Sequence, residues 1–570
     1  MSSTATTTTH PTASLSPRGR APGGDGAGGG RGSGRGLTLS LSLTLAFFFG
    51  LPLLLLLAQA RAAPSWLEIW FAPESLQALA GTLLSSIGAA CFAFAVAVPL
   101  ALLIARTELP FKNALRAVFT LPAALPPFIL GMGWVSLANP RAGLLNLLLG
   151  AGTFNIYGRM GIAFVLGTAG LPLVLLPTLA ALSRIDSSLE EAARLSGASP
   201  LRTLLSISLP LALPAALSGT ALCFLFAASA FGVPYLLGVT ASPPSPTLTT
   251  RIYGEILMGQ GGLPRAVVLS LELLLLAGFV LLGSRALARR GEVRLSSGKG
   301  LSLRPMPLGR ARVPLAVVAT VLAVVLVLLP LLAVTLTSVQ PVWGQLTGLS
   351  AKHWSAVLSN PRTIDATLRS LGLAAAAAAL VTTLGLGIAS TRRKPLELAA
   401  GAPYAIPGTV LALALVIAFS RDVRFVAFER IAFVLALGNT LWLLLVAYTV
   451  KHLAFGARNA ADGLAQVDGT LAEAARLSGA SPRRAFFDAV LPQLRAPLLA
   501  AFLVTFLTCV TELTLSVLLI PTGRDVLGTL LFELQSYADP GSAAVIACAF
   551  VLLVIALQLA QTLVTRRRQH

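Results

Sequence analysis

The chain alternates between long apolar runs and short polar segments. Runs near the ~20 residues needed to cross a bilayer fall at about 37–58, 79–105, 114–138, 160–182, 209–237 and 266–284. A second set falls at about 313–337, 367–390, 397–420, 431–450, 491–520 and 543–565. The prolines and glycines inside them are compatible with spanning helices whose neighbours satisfy the freed backbone groups. The pattern predicts an all-α integral membrane protein of two six-helix domains, 37–288 and 313–570. A basic linker, 289–312, joins them, and a tail, 1–36, precedes them. That tail is rich in Ser, Thr, Gly, Pro and Arg and is expected to be disordered. Ala58-Gln59-Ala60 after the first run has the look of a signal-peptidase site. The run's length argues instead for a retained span, and the second half has its own counterpart.

A repeat ties the two halves together. Residues 191–200 read Glu-Ala-Ala-Arg-Leu-Ser-Gly-Ala-Ser-Pro, and the same ten letters recur at 473–482, a displacement of 282 (473 − 191). Around it Asp186 faces Asp468, Ser188 faces Thr470, and Leu209-Pro210 faces Leu491-Pro492. Each copy predicts its own local structure. Ser188 with Glu191, and Thr470 with Glu473, fit a capping box. Gly197 and Gly479 fit a left-handed C-terminal cap. Ser199-Pro200 and Ser481-Pro482 restart a helix, serine at N-cap and proline at N1. Pro122 and Pro126 likewise recur as Pro403 and Pro407, and they either line a path or set helix packing.

Charge supplies the orientation. Arg285, Arg289, Arg290, Arg294, Lys299, Arg304, Arg310 and Arg312 sit between the halves; Arg392-Arg393-Lys394 follows the eighth run and Arg566-Arg567-Arg568 the twelfth. With twelve spans these all fall on one side, with the tail and both repeated loops, and the positive-inside rule makes that side the cytoplasm. Both termini are then cytoplasmic. Six spans per half make the halves parallel repeats about an axis along the membrane normal. The formal charge of +20, with 55% hydrophobic and 11% charged residues, is therefore read as topology and not as nucleic-acid binding.

Catalytic chemistry finds no foothold. Cys91, Cys223, Cys509 and Cys548 lie within apolar runs, the four histidines are scattered, and no metal-ligand spacing exists. Ser297-Gly298-Lys299-Gly300 lacks the leading glycine and trailing hydroxyl of a phosphate-binding loop. Glu512, deep in the eleventh run, is a costly ionisable group and a substrate-path candidate together with Ser516. The alternative is a structural carboxylate bonded to Thr508 or Ser516.

The two repeated loops resemble the EAA loop of binding-protein-dependent ABC importer permeases. The resemblance covers both halves and implies the type I importer fold, with two permease domains fused in one chain. It implies that Glu191, Ala192, Ala193 and Gly197, and likewise Glu473, Ala474, Ala475 and Gly479, contact a cytosolic ATPase or form the turn. It also implies two copies of that ATPase, which would use the ATP, no cofactor in this chain, and an outer-side substrate-binding protein. Four stretches resemble the ferric-iron group: Phe154-Asn155-Ile156-Tyr157-Gly158, Phe231-Gly232-Val233-Pro234, Thr249-Thr250-Arg251-Ile252-Tyr253 and Pro521-Thr522-Gly523-Arg524-Asp525. Ferric iron is the cargo this implies; thiamine, 2-aminoethylphosphonate and polyamine permeases are similar. Relatives carry a Glu before the Phe-Gly of the fifth span, where this chain has Ala230. The rival class is an ion-coupled secondary transporter, which leaves the duplicated loop unexplained.

Overall fold

The computed structural model describes residues 30–62, 65–295, 305–427, 430–537 and 539–566. Most of the expected tail lies outside them, and so does the linker stretch 296–304. Helix α1 (Gly30–Leu45) begins ahead of the apolar run and continues through a π-turn into α2 (Leu51–Ala62). Together they form the first span.

The first half then builds a span from α3 (Pro73–Arg106), a bent pair from α4 (Lys112–Thr120) and α5 (Pro127–Ala138), and a span from α6 (Arg159–Leu182). The repeated loop carries α7 (Ser187–Leu195); α8 (Leu209–Ser229), the short α9 (Leu248–Leu257) and α10 (Leu263–Leu295) follow. The second half repeats this order. Its first span is α11 (Arg312–Ala323) and α12 (Leu329–Thr337), its next α13 (Pro361–Ser390). The bent pair is α14 (Lys394–Ala405) and α15 (Gly408–Phe419). A hairpin of β1 (Val423–Ala427) and β2 (Arg430–Leu435) comes before α16 (Leu441–Gln466). The repeated loop carries α17 (Gly469–Leu477), followed by α18 (Arg495–Val510), the short α19 (Thr514–Leu519) and α20 (Leu527–Ser536), and α21 (Pro540–Arg566).

Among the described residues nine helical segments are long and apolar enough to cross a bilayer, and the two bent pairs raise this to eleven. The twelfth is α16, 26 residues long and packed on α13 as α6 packs on α3. The expected tenth span, 431–450, is therefore displaced. Its first residues pair instead in the antiparallel hairpin, Val423 opposite Leu435 and Arg424 opposite Val434. The apolar run there is β-branched and aromatic, suited to a strand pair. The span proper runs on through Lys451 and His452.

Why the helices sit as closely as they do follows from their glycines. A Cβ on Gly456 of α16 would lie 2.0 Å from the Val381 carbonyl oxygen of α13, and one on Gly385 would lie 2.2 Å from Gly456 carbon. Association within lipid depends on such backbone approach. The halves also exchange their first spans. The pair α11–α12 packs on α5, with the Pro330 carbonyl 2.3 Å from where a Gly133 Cβ would be; Thr337 Oγ1 donates to Ser136 Oγ at 3.0 Å. Helix α2 packs in turn on α15 of the second half, burying Leu56 and Ala60.

Each short helix is fastened to its half by one rule. The Thr247 and Val526 amides donate to Thr250 Oγ1 and Thr529 Oγ1, both at 3.0 Å. The next amides, Leu248 and Leu527, donate across to Thr82 and Ser370 at 2.8 and 2.7 Å. An ion pair then closes each clasp. Arg251 on α9 meets Glu74 on α3 at 2.8 Å, whereas Arg362 on α13 meets Asp525 at 2.7 Å and Glu533 on α20.

Candidate functional site

Two places concentrate chemistry: the repeated loops, and a cavity between the halves.

In each loop an aspartate caps the helix. The Ser188 and Thr470 amides donate to Asp186 and Asp468 Oδ1, both at 3.0 Å. The capping hydroxyls expected of Ser188 and Thr470 are thus displaced two residues upstream, because an aspartate at N-cap reaches the second amide of the helix directly. Donors on Thr470 hold the Asp468 carboxyl below its usual range. Glu191 and Glu473 are consequently not engaged in a cap; both are exposed, as are Ala192, Ala474, Gly197 and Gly479, while Ala193 and Ala475 are half-buried. Gly197 and Gly479 turn the chain at φ +86° and +87°. Ala198 and Ala480 donate back to the Ala193 and Ala475 carbonyls at 3.0 Å, as the left-handed cap requires. Ser199 and Ser481 cap the next helix, accepting from the Arg202 and Arg484 amides at 3.3 Å. Leu195 and Leu477, at equivalent positions, are 91% and 90% exposed.

A cavity of about 660 Å³ is lined by both halves. The bends contribute Pro122 to Phe128 on one side and Tyr404, Ala405, Ile406 and Gly408 on the other. Those bends, 106° and 105°, occur where Pro126 and Pro407 end one helix and begin the next, so the repeated prolines shape the cavity wall. Its polar groups come almost wholly from the second half: Lys451, His452, Thr508, Thr511, Glu512 and Thr514. At the displacement of 282 the first half offers Ala169, Gly170, Phe226, Ser229, Ala230 and Gly232. Ala230 is thus the counterpart of Glu512, and this position carries a charge in one half only.

Glu512 sits in the break between α18 and α19, where Oε1 accepts the Leu515 amide at 3.3 Å. The hydroxyls once expected to hold it bond elsewhere. Thr508 donates to the Val504 and Thr505 carbonyls, and Ser516 to the Glu512 carbonyl. Ser516 is fully buried, 2.7 Å from the Tyr448 hydroxyl, and stands behind the cavity wall. Lys451 Nζ donates to the Ile406 carbonyl at 2.8 Å, tying α16 to the bend, and His452 Nδ1 lies 3.0 Å from the Tyr448 carbonyl. Sequence reasoning missed this pair by ending the tenth span one residue short of Lys451.

Away from the loops the cavity meets an aromatic plug. Phe532 of α20 lies between Phe128, Phe231 and Tyr235 of the first half, with centroids 6.0, 5.7 and 4.8 Å away, and Tyr253 closes on Phe231 at 5.0 Å. The stretches Phe231–Pro234 and Thr249–Tyr253 contribute to this plug and its clasp. Among the described residues no group of three or more His, Cys, Asp or Glu is placed to hold a metal ion.

The family described as "Binding-protein-dependent transport system inner membrane component" matches residues 97–342 and again 373–570. The chain belongs to this family. It is an all-α, multi-pass permease with two copies of the family domain, the membrane component of a binding-protein-dependent importer. It is 26% identical over 495 residues to the Fe(3+)-transport system permease protein FbpB 2 of Haemophilus influenzae, across 85% of this chain and 89% of that one. The putative 2-aminoethylphosphonate transport system permease protein PhnU of Salmonella choleraesuis is 28% identical over 222 residues, 37% of this chain and 76% of its own. PhnV of Salmonella paratyphi A is 28% identical over 261 residues, 44% of this chain and 93% of its own. A solved bacterial alginate ABC transporter in complex with alginate pentasaccharide-bound periplasmic protein aligns at TM-score 0.37 and 16% identity, over 45% of this chain and 95% of that one.

Proposed function

We propose that the chain is the path and the transmission of an importer driven by two copies of a separate cytosolic ATPase. One copy docks on α7 and one on α17, through Glu191, Ala192, Ala193 and Gly197 and through Glu473, Ala474, Ala475 and Gly479. The observation that carries this is the pair of identical, capped loops with Leu195 and Leu477 exposed. Large apolar side chains held out on a rigid polar loop fit a partner's surface. ATP is used by the partner, and this chain binds no cofactor of its own. Both termini and both loops face the cytoplasm by the distribution of arginine and lysine, and an outer-side binding protein delivers cargo to the opposite face.

Cargo passes the plug, enters the cavity and meets Glu512 beside Lys451 and His452, with Ser516 bracing the break behind. ATP binding favours one arrangement of the loops, the attached spans rock, and the cavity changes face. Ferric iron is the cargo this reading puts first, supported by the similarity to the Haemophilus iron permease across 85% of this chain and 89% of that one and by a carboxylate in the path. The similarity to the Salmonella permeases favours 2-aminoethylphosphonate as the second reading: a zwitterion has use for both Lys451 and Glu512. Glu191→Lys with Glu473→Lys should abolish uptake while the chain still inserts. Unchanged uptake in that double variant overturns the docking assignment.

A further inference from the structure

The two loops are identical over 191–200 and 473–482, yet residues on either side of that stretch differ. Glu190 becomes Ala472, and the Ser208 facing it becomes Val490. Glu190 is 2% exposed although it lies on a loop outside the spans. Arg106, the last residue of α3 and also 2% exposed, places Nε 3.1 Å from Glu190 Oε1. Ser208 Oγ donates to the same oxygen at 2.7 Å. Arg106 Nη2 donates to the Leu182 and Ile185 carbonyls at 2.6 and 3.4 Å, the end of α6 and the turn into α7. One guanidinium therefore binds α3, α6 and α7 together.

The second half cannot repeat this. Counted from the matched hydroxyls Thr82 and Ser370, α3 runs 24 residues further (106 − 82) and α13 only 20 (390 − 370). Helix α13 stops about one turn short; the basic residues that follow it, Arg392, Arg393 and Lys394, are exposed, and Ala472 offers no carboxylate. The end of α3 is also fastened to the linker. The Met306 amide donates to the Arg106 carbonyl at 2.8 Å, Glu108 to the Met306 carbonyl at 3.3 Å, and Leu308 to Glu108 Oε1 at 3.3 Å. The linker leads directly into α11, which packs on the first half.

We propose that Arg106, Glu190 and Ser208 are positioning residues that latch the first loop rigidly to its spans, while the second loop is anchored more loosely. The two ATPase copies then push on unequal levers, and the first loop carries the larger share of transmission. A buried charge pair suits this role because losing either partner leaves the other unpaired in an apolar setting. The share of transmission rests on the docking assignment; the latch itself does not.

Amide exchange on the full chain in lipid nanodiscs tests the latch without any ATPase. The shared letters give the amides of 192–195 and 474–477 equal intrinsic exchange, while Ser187–Leu195 and Gly469–Leu477 still differ in mass. Exchange in the first should be slower by roughly tenfold or more, and Glu190→Gln should bring it to the rate of the second. Equal rates in the unaltered chain, or no acceleration in E190Q, overturn the latch. With the ATPase and binding protein reconstituted, and ferric iron and 2-aminoethylphosphonate offered in turn, E190Q should lower cargo moved per ATP several-fold, and Ala472→Gln should not. An accelerated loop with unchanged coupling overturns the unequal levers alone. If E191K with E473K also leaves coupling intact, the docking assignment is what fails.

Discussion

Replacing Gly456 by alanine puts one methyl group between α13 and α16. Its carbon would lie 2.0 Å from the Val381 carbonyl oxygen and 3.0 Å from Val381 Cγ1, where ordinary contact begins at 3.4 Å. The first of these neighbours is helix backbone and cannot rotate away. The helices must separate locally by about 1.4 Å (3.4 − 2.0), and the gap forfeits dispersion along the seam. Overpacking of this kind costs about 1–3 kcal/mol, with the upper end expected because packing is the main force between helices in lipid. Gly372 on the same α13 is the control, since a Cβ there meets nothing within 4 Å, and alanine gains up to about 1 kcal/mol of helix propensity. Thermal unfolding in detergent should show G456A lower by roughly 1–5 °C and G372A unchanged or raised. Lys451 sits on α16 five residues earlier, so G456A should also impair transport. Identical melting of the two variants refutes the claim that backbone approach at this crossing sets the distance between α13 and α16.

Glu512→Gln should cut ferric iron uptake at least several-fold with membrane yield unchanged, measured as iron accumulated by cells; equal uptake removes Glu512 from the path. Phe532→Ala should cost about 3–5 kcal/mol of packing and open the plug. In a chain with Cys91→Ser and Thr508→Cys, an impermeant maleimide added from the outer side should then label the cavity thiol faster, and unchanged labelling refutes the seal. Leu195→Asp with Leu477→Asp should reduce co-purification of the ATPase to background while the spans fold normally; retained ATPase shows that it docks elsewhere.

The spans were legible because the bilayer asks for about 20 apolar residues at a time, and the repeat fixed their pairing. The loop turns were legible because Gly197 and Gly479 serve positions few other residues occupy. What escaped was whatever depends on contact across the chain. Residues 431–450 are apolar enough for a span, and only the pairing of 431–435 in a hairpin shows that the span begins later and holds Lys451 and His452. Arg106 reads as one more positive charge at the end of a span, and Glu190 as one more acid in a helix start. The mismatch of Glu190 with Ala472, beside ten matching letters, was the available signal. Ser516 could not be told from a path residue without seeing Tyr448 in front of its hydroxyl.

The charge-swapped clasps make the halves poor substitutes for one another. Glu74 and Arg362 hold the same place, second in α3 and in α13, with opposite sign. A chimera carrying α3 in place of α13 would set Glu74 against Asp525 and Glu533, three carboxylates with the Arg362 cation removed. One carrying α13 in place of α3 would set Arg362 against Arg251. The charge at this one position thus favours each half's own helix over its counterpart from the other half.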